Sequence, residues 1–320
     1  MLLSCNNTPS EGVCPVTQRF GGIWTLAKLD IINTYLSIYQ KVMTQMKNEF
    51  GYRLCYIDAF AGSGSIEIDG QVYDGSAIKA LEHDFDCYYF LDKKKKNIKI
   101  LTERIQCDGA YTDKIDKINF ITDDCNNALN QICAKDWSKW RGVAFLDPFA
   151  MELEYRTLQC LARTEVFDVW YLFPFEATLR CMQNDGKTPS KTSMRISKAL
   201  GTDEWKEALY SSFGVQLDLF GEVSDEMKKR DHYSKVKDYV IRRFSCDFRK
   251  VLKEPHLFLR YPRNNPIFLL CFMCNNPSVK AQSLAVKLAK DVCKKYRTPE
   301  SMEQLMEKEG IGIYGSKIED

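Results

Sequence analysis

Apolar residues recur from Trp24 to Met46 at Leu26, Leu29, Ile32, Tyr35, Leu36, Tyr39, Val42, Met43 and Met46. That three-and-four spacing predicts a long amphipathic helix. Five shorter apolar runs follow, and each stops on an acidic residue or a proline. They are 54–58 at Asp58, 87–91 at Asp92, 119–122 at Asp123-Asp124, 142–146 at Asp147-Pro148-Phe149, and 167–173 at Pro174. Helix-prone stretches separate them: 76–81 with Ser76 as a plausible cap, a charged helix from Lys93, and 126–134. Strands apolar on both faces, alternating with helices, predict an α/β doubly wound, Rossmann-like, mostly parallel sheet.

The pattern changes at 176. Residues 176–254 are polar and helix-prone, with Trp205, Leu209 and Phe213 on one face and a basic turn at Lys228-Lys229-Arg230. They read as a helical insertion or lid. Two apolar runs, 256–261 and 266–273, flank Pro262-Arg263-Asn264-Asn265, a predicted hairpin turn. A last helix buries Ala281, Leu284, Ala285, Leu288, Ala289, Val292, Cys293 and Tyr296. The expected organisation is an arm over 1–22, a core over 23–175, the insertion over 176–254, and a hairpin and helix over 255–320 that complete the core.

Composition narrows the class. The chain of 320 residues is 45% hydrophobic and 28% charged, with net charge +2, which describes a globular protein without a global basic field. Local basic patches, Lys93–Lys96 and the cations of the last helix, could contact nucleic acid, although a solvated helix face is the commoner role. The 13 cysteines are scattered and odd in number. Cys271 and Cys274 fall inside an apolar run and read as buried thiols. The three histidines show no metal spacing, so no metal is expected; His232 could face the cleft or the surface. Neither a signal peptide nor a membrane-spanning run is present in the sequence, so a reduced, cytoplasmic protein is expected.

Candidate chemistry begins at 56–64, Tyr-Ile-Asp-Ala-Phe-Ala-Gly-Ser-Gly. A strand runs into Asp58 and then a glycine turn, as where a sheet edge holds a nucleotide-like ligand. No P-loop lysine follows, so a phosphate is disfavoured, and an adenosine-type ligand with a positive group suits Asp58 better. The stretch Asp58 to Gly64 resembles motif I of class I S-adenosylmethionine (SAM)-dependent methyltransferases, particularly amino-methyltransferases. By that resemblance SAM is the cofactor, held by the loop Phe60, Ala61, Gly62 and Gly64, with Asp58 at the methionine end. Asp92, about thirty residues past the loop, could accept both ribose hydroxyls or cap the helix behind it. Asp124, or Asp123, could accept from the adenine amine or cap a helix. Asp147-Pro148-Phe149 resembles the Asp/Asn-Pro-Pro-Tyr/Phe motif, in which the first residue and a proline carbonyl orient an amine and the aromatic ring stacks on a base. Here one proline is missing and the ring comes one residue early; a simple strand-to-loop turn is the competing reading. Tyr171 to Phe175 could line an acceptor pocket or fill the core.

Taken together, Trp24 to Leu29, Tyr35-Leu36, 56–64, Gly75-Ser76, 145–149 and Cys274-Asn275-Asn276 resemble the three-Cys-motif partner family. The resemblance implies a class I methyltransferase-like fold with an antiparallel C-terminal strand. It also implies a bacterial or phage-related setting and a possible three-Cys-motif, radical-SAM-like partner protein. Two functions follow: methyl transfer from SAM to a nitrogen of a nucleic-acid base or related acceptor, or a catalytically silent module acting through protein association.

Overall fold

The computed structural model describes residues 23–68, 70–217, 223–255, 257–260 and 266–296. The arm over 1–22, the turn 262–265 and the chain beyond 296 lie outside them. The long amphipathic pattern forms α1 (Ile23–Phe50), stopped by Gly51, whose φ of 68° lets its N–H reach the Lys47 carbonyl at 2.9 Å. Then come β1 (Arg53–Asp58), β2 (Ser65–Ile68), β3 (Gln71–Asp74), α2 (Ser76–Leu81), β4 (Cys87–Asp92), α3 (Lys95–Cys107), β5 (Ile118–Thr122), α4 (Cys125–Cys133), β6 (Trp140–Leu146), α5 (Tyr155–Thr164) and β7 (Phe167–Phe173). The later half carries α6 (Phe175–Cys181), α7 (Ser190–Leu200), α8 (Trp205–Ala208), β8 (Tyr210–Leu217), β9 (Val223–Arg230), α9 (Tyr233–Phe244), β10 (Lys250–Val251), β11 (Leu257–Arg260), β12 (Pro266–Cys274) and α10 (Val279–Lys295).

The main sheet runs β10-β12-β7-β6-β1-β4-β5, with β11 also paired to β12. Strands β5, β4, β1, β6 and β7 are mutually parallel, and β12 inserts antiparallel beside β7. This is the methyltransferase-like order, with the expected antiparallel C-terminal strand. The chain grows from β1 to β4 and β5 on one side, then crosses to β6 and β7 on the other. The carboxyl ends of β1 and β6 therefore flank the switch point, where a crevice opens in such sheets. Each face of the sheet carries its own apolar layer. Tyr35, Tyr56, Phe90, Trp170 and Phe272 pack beneath α1 and α10, while Ile57, Leu146, Leu158, Tyr171 and Phe244 pack on the α4, α5 and α9 side.

The structure departs from the sequence reading in several places. A hairpin, β2–β3, fills the stretch between the glycine loop and α2. Ser76 is the first helical residue rather than the cap; Gly75 occupies that position. The 176–254 segment contains the β8–β9 hairpin besides its helices. Phe213 lies on β8, and Lys228-Lys229-Arg230 sit on β9, where a helix face and a basic turn were expected. In α10, Leu284 is exposed and Gln282 takes a buried position instead. Cys271 and Cys274 are buried free thiols, and no potential metal cluster occurs among the described residues. No described helix is long and apolar enough to cross a membrane.

Candidate active site at the carboxyl edge of the sheet

The first strand fixes the loop. Asp58 is fully buried at the end of β1, and its Oδ1 accepts from the Phe60 N–H at 3.1 Å, which turns the chain sharply. Gly62 and Gly64 then adopt φ of 62° and 77°, a region that side-chain-bearing residues avoid. The loop is held from below. The Ala61 N–H donates to the Leu91 carbonyl at 2.8 Å, Gly75 N–H donates to the Gly64 carbonyl at 2.8 Å, and Arg104 Nη1 donates to that same carbonyl at 2.5 Å. Arg104 also pairs with Asp74 of β3, so the hairpin and α3 brace one loop atom together.

Above the loop lies a cavity of about 670 Å³. That lies inside the roughly 300–1,000 Å³ span of small-molecule sites. Phe60, Ala61, Gly62, Gly64, Asp92, Asp124, Asp147, Pro148 and Phe149 all line it. Sequence positions nearly ninety residues apart are thus gathered at one edge. Asp58 is the exception: it lies beneath the loop and does not line the cavity. Tyr171, Leu172, Phe173 and Phe175 are likewise absent from the wall and fully buried in the core; Pro174 alone of that run reaches the cavity. His232 caps α9, accepting from the Ser234 N–H, and stands away from this cavity.

Each carboxylate has spare capacity. Asp92 accepts from the Lys94 N–H at 2.7 Å on Oδ1 and from Asn97 Nδ2 at 3.0 Å on Oδ2. A carboxylate offers about four lone-pair sites, so one on each oxygen remains for a pair of hydroxyls. Asp124 caps α4, and both its contacts, Asn126 N at 2.9 Å and Asn126 Nδ2 at 3.0 Å, fall on Oδ1. Asp123 accepts from the Asp124 N–H and lies off the cavity wall, whereas Asp124 lines it. Phe149 is 70% exposed at the mouth of the cavity.

Lys28 was missed as a site residue. It projects from α1 and forms an ion pair with Asp147 Oδ2, both side chains more than four-fifths buried. Nothing in local spacing links residues 119 positions apart. Asn126 was missed for the same reason. Its amide binds the Glu152 carbonyl at 2.9 Å, while its Oδ1 accepts from the Glu154 N–H and the Thr157 hydroxyl. One buried side chain therefore pins the segment after Asp147 to the first turn of α4.

The buried Asp58 carries the strongest electrostatic signal. Burial pushes its carboxyl up from 3.8 to about 7; the Ser76 hydroxyl and Phe60 N–H oppose this, Asp147 adds to it, and Lys28 reduces it. Among the described residues its Oδ2 finds no hydrogen-bond partner at normal geometry. A buried carboxylate with an unpartnered oxygen, under a glycine loop and a rim of further carboxylates, suits a ligand with positive charge and hydroxyl and amine donors. SAM has that character, and these residues fit it.

Neither a protein-family model nor a curated relative matches the chain. Solved structures share parts of its architecture at low identity. A Legionella pneumophila protein of the DUF519 family is 11% identical, with 87% of this chain and 94% of that one aligned at a TM-score of 0.45. A SAM-dependent methyltransferase structure from Methanosarcina mazei is 13% identical over 70% and 92% of the two chains, at 0.33. The N-terminal domain of EvdMO1, solved with SAH bound, is 10% identical over 73% and 78%, at 0.30. At such values the fold assignment rests on the strand order and the inserted antiparallel strand, which this chain displays in its own right.

Proposed function

We propose that this protein is a SAM-dependent methyltransferase acting on a nitrogen of a nucleic-acid base or related acceptor. The observation that carries the reading is the convergence of the glycine loop, Asp92, Asp124 and Asp147-Pro148-Phe149 on one cavity at the switch point. SAM, when bound, supplies a methyl group already activated on a positively charged sulfur. The chain supplies position and electrostatics, which dominate when the nucleophile is a neutral amine. Asp92 accepts the ribose hydroxyls, Asp124 accepts from the adenine amine, and the Phe60-to-Gly64 backbone lies under the methionine portion. Asp58 acts through the loop it shapes and through its field. At the acceptor end Lys28 holds Asp147 Oδ2, leaving Oδ1 to accept an amine N–H while the Pro148 carbonyl accepts another. Oδ1 is also the base that takes the proton the nitrogen sheds after transfer. Exposed Phe149 offers a ring for an extruded base to stack on.

A second reading is favoured by one observation. The Lys28–Asp147 ion pair engages the very carboxylate that the acceptor needs, as a site retired from chemistry would. The protein is then a partner module acting through association, with a three-Cys-motif, radical-SAM-like protein as the candidate.

The test is calorimetric binding of SAM and SAH to wild type and Asp92→Ala, followed by transfer of labelled methyl from SAM to single-stranded oligonucleotides by wild type and Asp147→Ala. Micromolar binding that Asp92→Ala weakens, with transfer that Asp147→Ala abolishes, supports the enzyme. Folded protein that binds neither ligand refutes it and leaves the partner module.

A further inference from the structure

At the opposite edge of the sheet, two cysteines from different strands stand side by side. The parallel pairing of β1 and β4 sets Cys55 directly against Cys87. Adjacent strands lie about 4.8 Å apart, and residues in register on parallel strands project to the same face. Such a spacing falls inside the roughly 4.4–6.8 Å Cα separation that disulfides span. Most of the chain's other described thiols lack such a neighbour in register.

The two thiols are in unlike surroundings. Cys55 is fully buried, while Cys87, the first residue of β4, is half-buried and reachable. Asn119 Nδ2 of β5 donates to the Cys87 sulfur at 3.3 Å. The Cys55 thiol stands beside it on β1 and itself donates to the Tyr56 carbonyl at 3.9 Å, while Tyr89 lies two residues further along β4. Two cations face it: Lys135, just past α4, whose Nζ lies 2.8 Å from the Tyr89 hydroxyl, and Arg53 at the start of β1. Donors and positive charge around a partly open sulfur are the setting of a reactive thiolate. The neighbouring Cys55 thiol is the largest cause of the lowering of the Cys87 thiol from 9.0 to about 7, while burial pushes Cys55 well up. The pair is therefore polarised, with a nucleophile outside and a protonated thiol behind it.

We propose that Cys87 is a thiol modification site that reacts with small-molecule disulfides such as glutathione disulfide, and that Cys55 resolves the adduct into a cross-strand disulfide. In the first step the Cys87 thiolate attacks one sulfur of glutathione disulfide; a new S–S bond forms, the old one breaks, and a glutathione thiolate leaves. In the second the Cys55 sulfur attacks the Cys87 sulfur, the mixed disulfide breaks, and the Cys55 proton goes to the departing glutathione. The protein dithiol is oxidised by two electrons, and glutathione disulfide is reduced to two thiols. This site is independent of the cavity at the carboxyl edge.

The experiment is a time course of folded full-length protein with limiting glutathione disulfide, quenched in acid and mapped by peptide mass spectrometry between pH 6 and 9. Cys107 and Cys246 are more exposed and serve as internal references. At pH 7 the expected result is that Cys87 is modified about tenfold faster than either, with a rate half-maximal near pH 7, and that the adduct gives way to a linked Cys55–Cys87 peptide pair. In Cys55→Ser the Cys87 adduct should persist. Lys135→Met, which alters a surface side chain, should move the half-maximal pH upward and covers the case in which Cys55→Ser fails to fold. Modification of Cys107 or Cys246 ahead of Cys87, or a Cys87 adduct that wild type never resolves, overturns the proposal.

Discussion

Replacing Asp58 with asparagine tests whether the carboxyl under the glycine loop is as isolated from water as the structure shows. The side chain is fully buried, its Oδ2 has no hydrogen-bond partner at normal geometry among the described residues, and burial pushes its carboxyl up from 3.8 to about 7. The folded state thus holds a proton that the unfolded chain releases near pH 4, so stability falls as pH rises through that window. The whole interval amounts to about 4 kcal/mol. Between pH 5 and pH 8 alone the loss is about 2.5 kcal/mol, because at pH 5 part of the interval has already been traversed. Asp168, half-buried on β7 and raised to about 6 by desolvation against the opposing pull of Tyr35 and Cys274, adds a slope of the same sign. Asp58→Asn leaves Asp168 untouched, so the difference between the two proteins isolates Asp58. The asparagine keeps an oxygen for the Phe60 N–H but brings an amide donor to the place of Oδ2, costing about 1–3 kcal/mol at every pH. Urea unfolding at four pH values is the assay. The variant should gain about 2.5 kcal/mol on wild type between pH 5 and 8, whatever the constant offset. Stability curves that stay parallel across that range refute the reasoning, and with it the isolation of this carboxyl from water.

Three further outcomes follow from the same geometry. Lys28→Met, which frees Asp147 Oδ2, should leave SAH affinity within about twofold and lower methyl transfer about 10- to 100-fold through loss of carboxylate orientation, read as kcat/KM in the oligonucleotide assay. An active Lys28→Met enzyme would remove the lysine from the mechanism. In Gly75→Ala, a Cβ would stand 3.1 Å from the Gly64 carbonyl carbon and 3.2 Å from its oxygen, so the loop must shift. The expected cost is about 1–3 kcal/mol in denaturant unfolding with weakened SAH binding, whereas Gly109→Ala, which meets nothing within 4 Å, should be neutral or nearly so. Asn126→Ala should lower the melting temperature and loosen the segment after Asp147, measured as faster amide exchange at Glu152 and Glu154, since it removes four hydrogen bonds.

Local patterning made the sheet legible. Strands buried on both faces leave unbroken apolar runs, and a parallel sheet presents every strand's carboxyl end at one edge, so Asp92, Asp124 and Asp147 could be placed together from their positions in those runs. The β2–β3 hairpin was legible too and went unread: Ile66-Glu67-Ile68 and Gln71-Val72-Tyr73 flank Asp69-Gly70, a two-residue turn sequence. The β8–β9 hairpin was harder, because polar strands beside short helices carry no clear period.

What the sequence determined by itself was the order of elements, the glycine turn after β1 and the acidic strand ends, since each depends on neighbours in the chain. The tertiary structure decided which of those residues face the same space. Asp58 and Asp147 look alike as strand-end acids, yet packing buries one beneath the loop and opens the other to the cavity. It also brought Lys28 across from α1 to Asp147, and Cys87 into register with Cys55. Pairings between distant segments arise from how helices and strands pack, and no periodicity along the chain encodes the distance between two side chains that meet only in the fold.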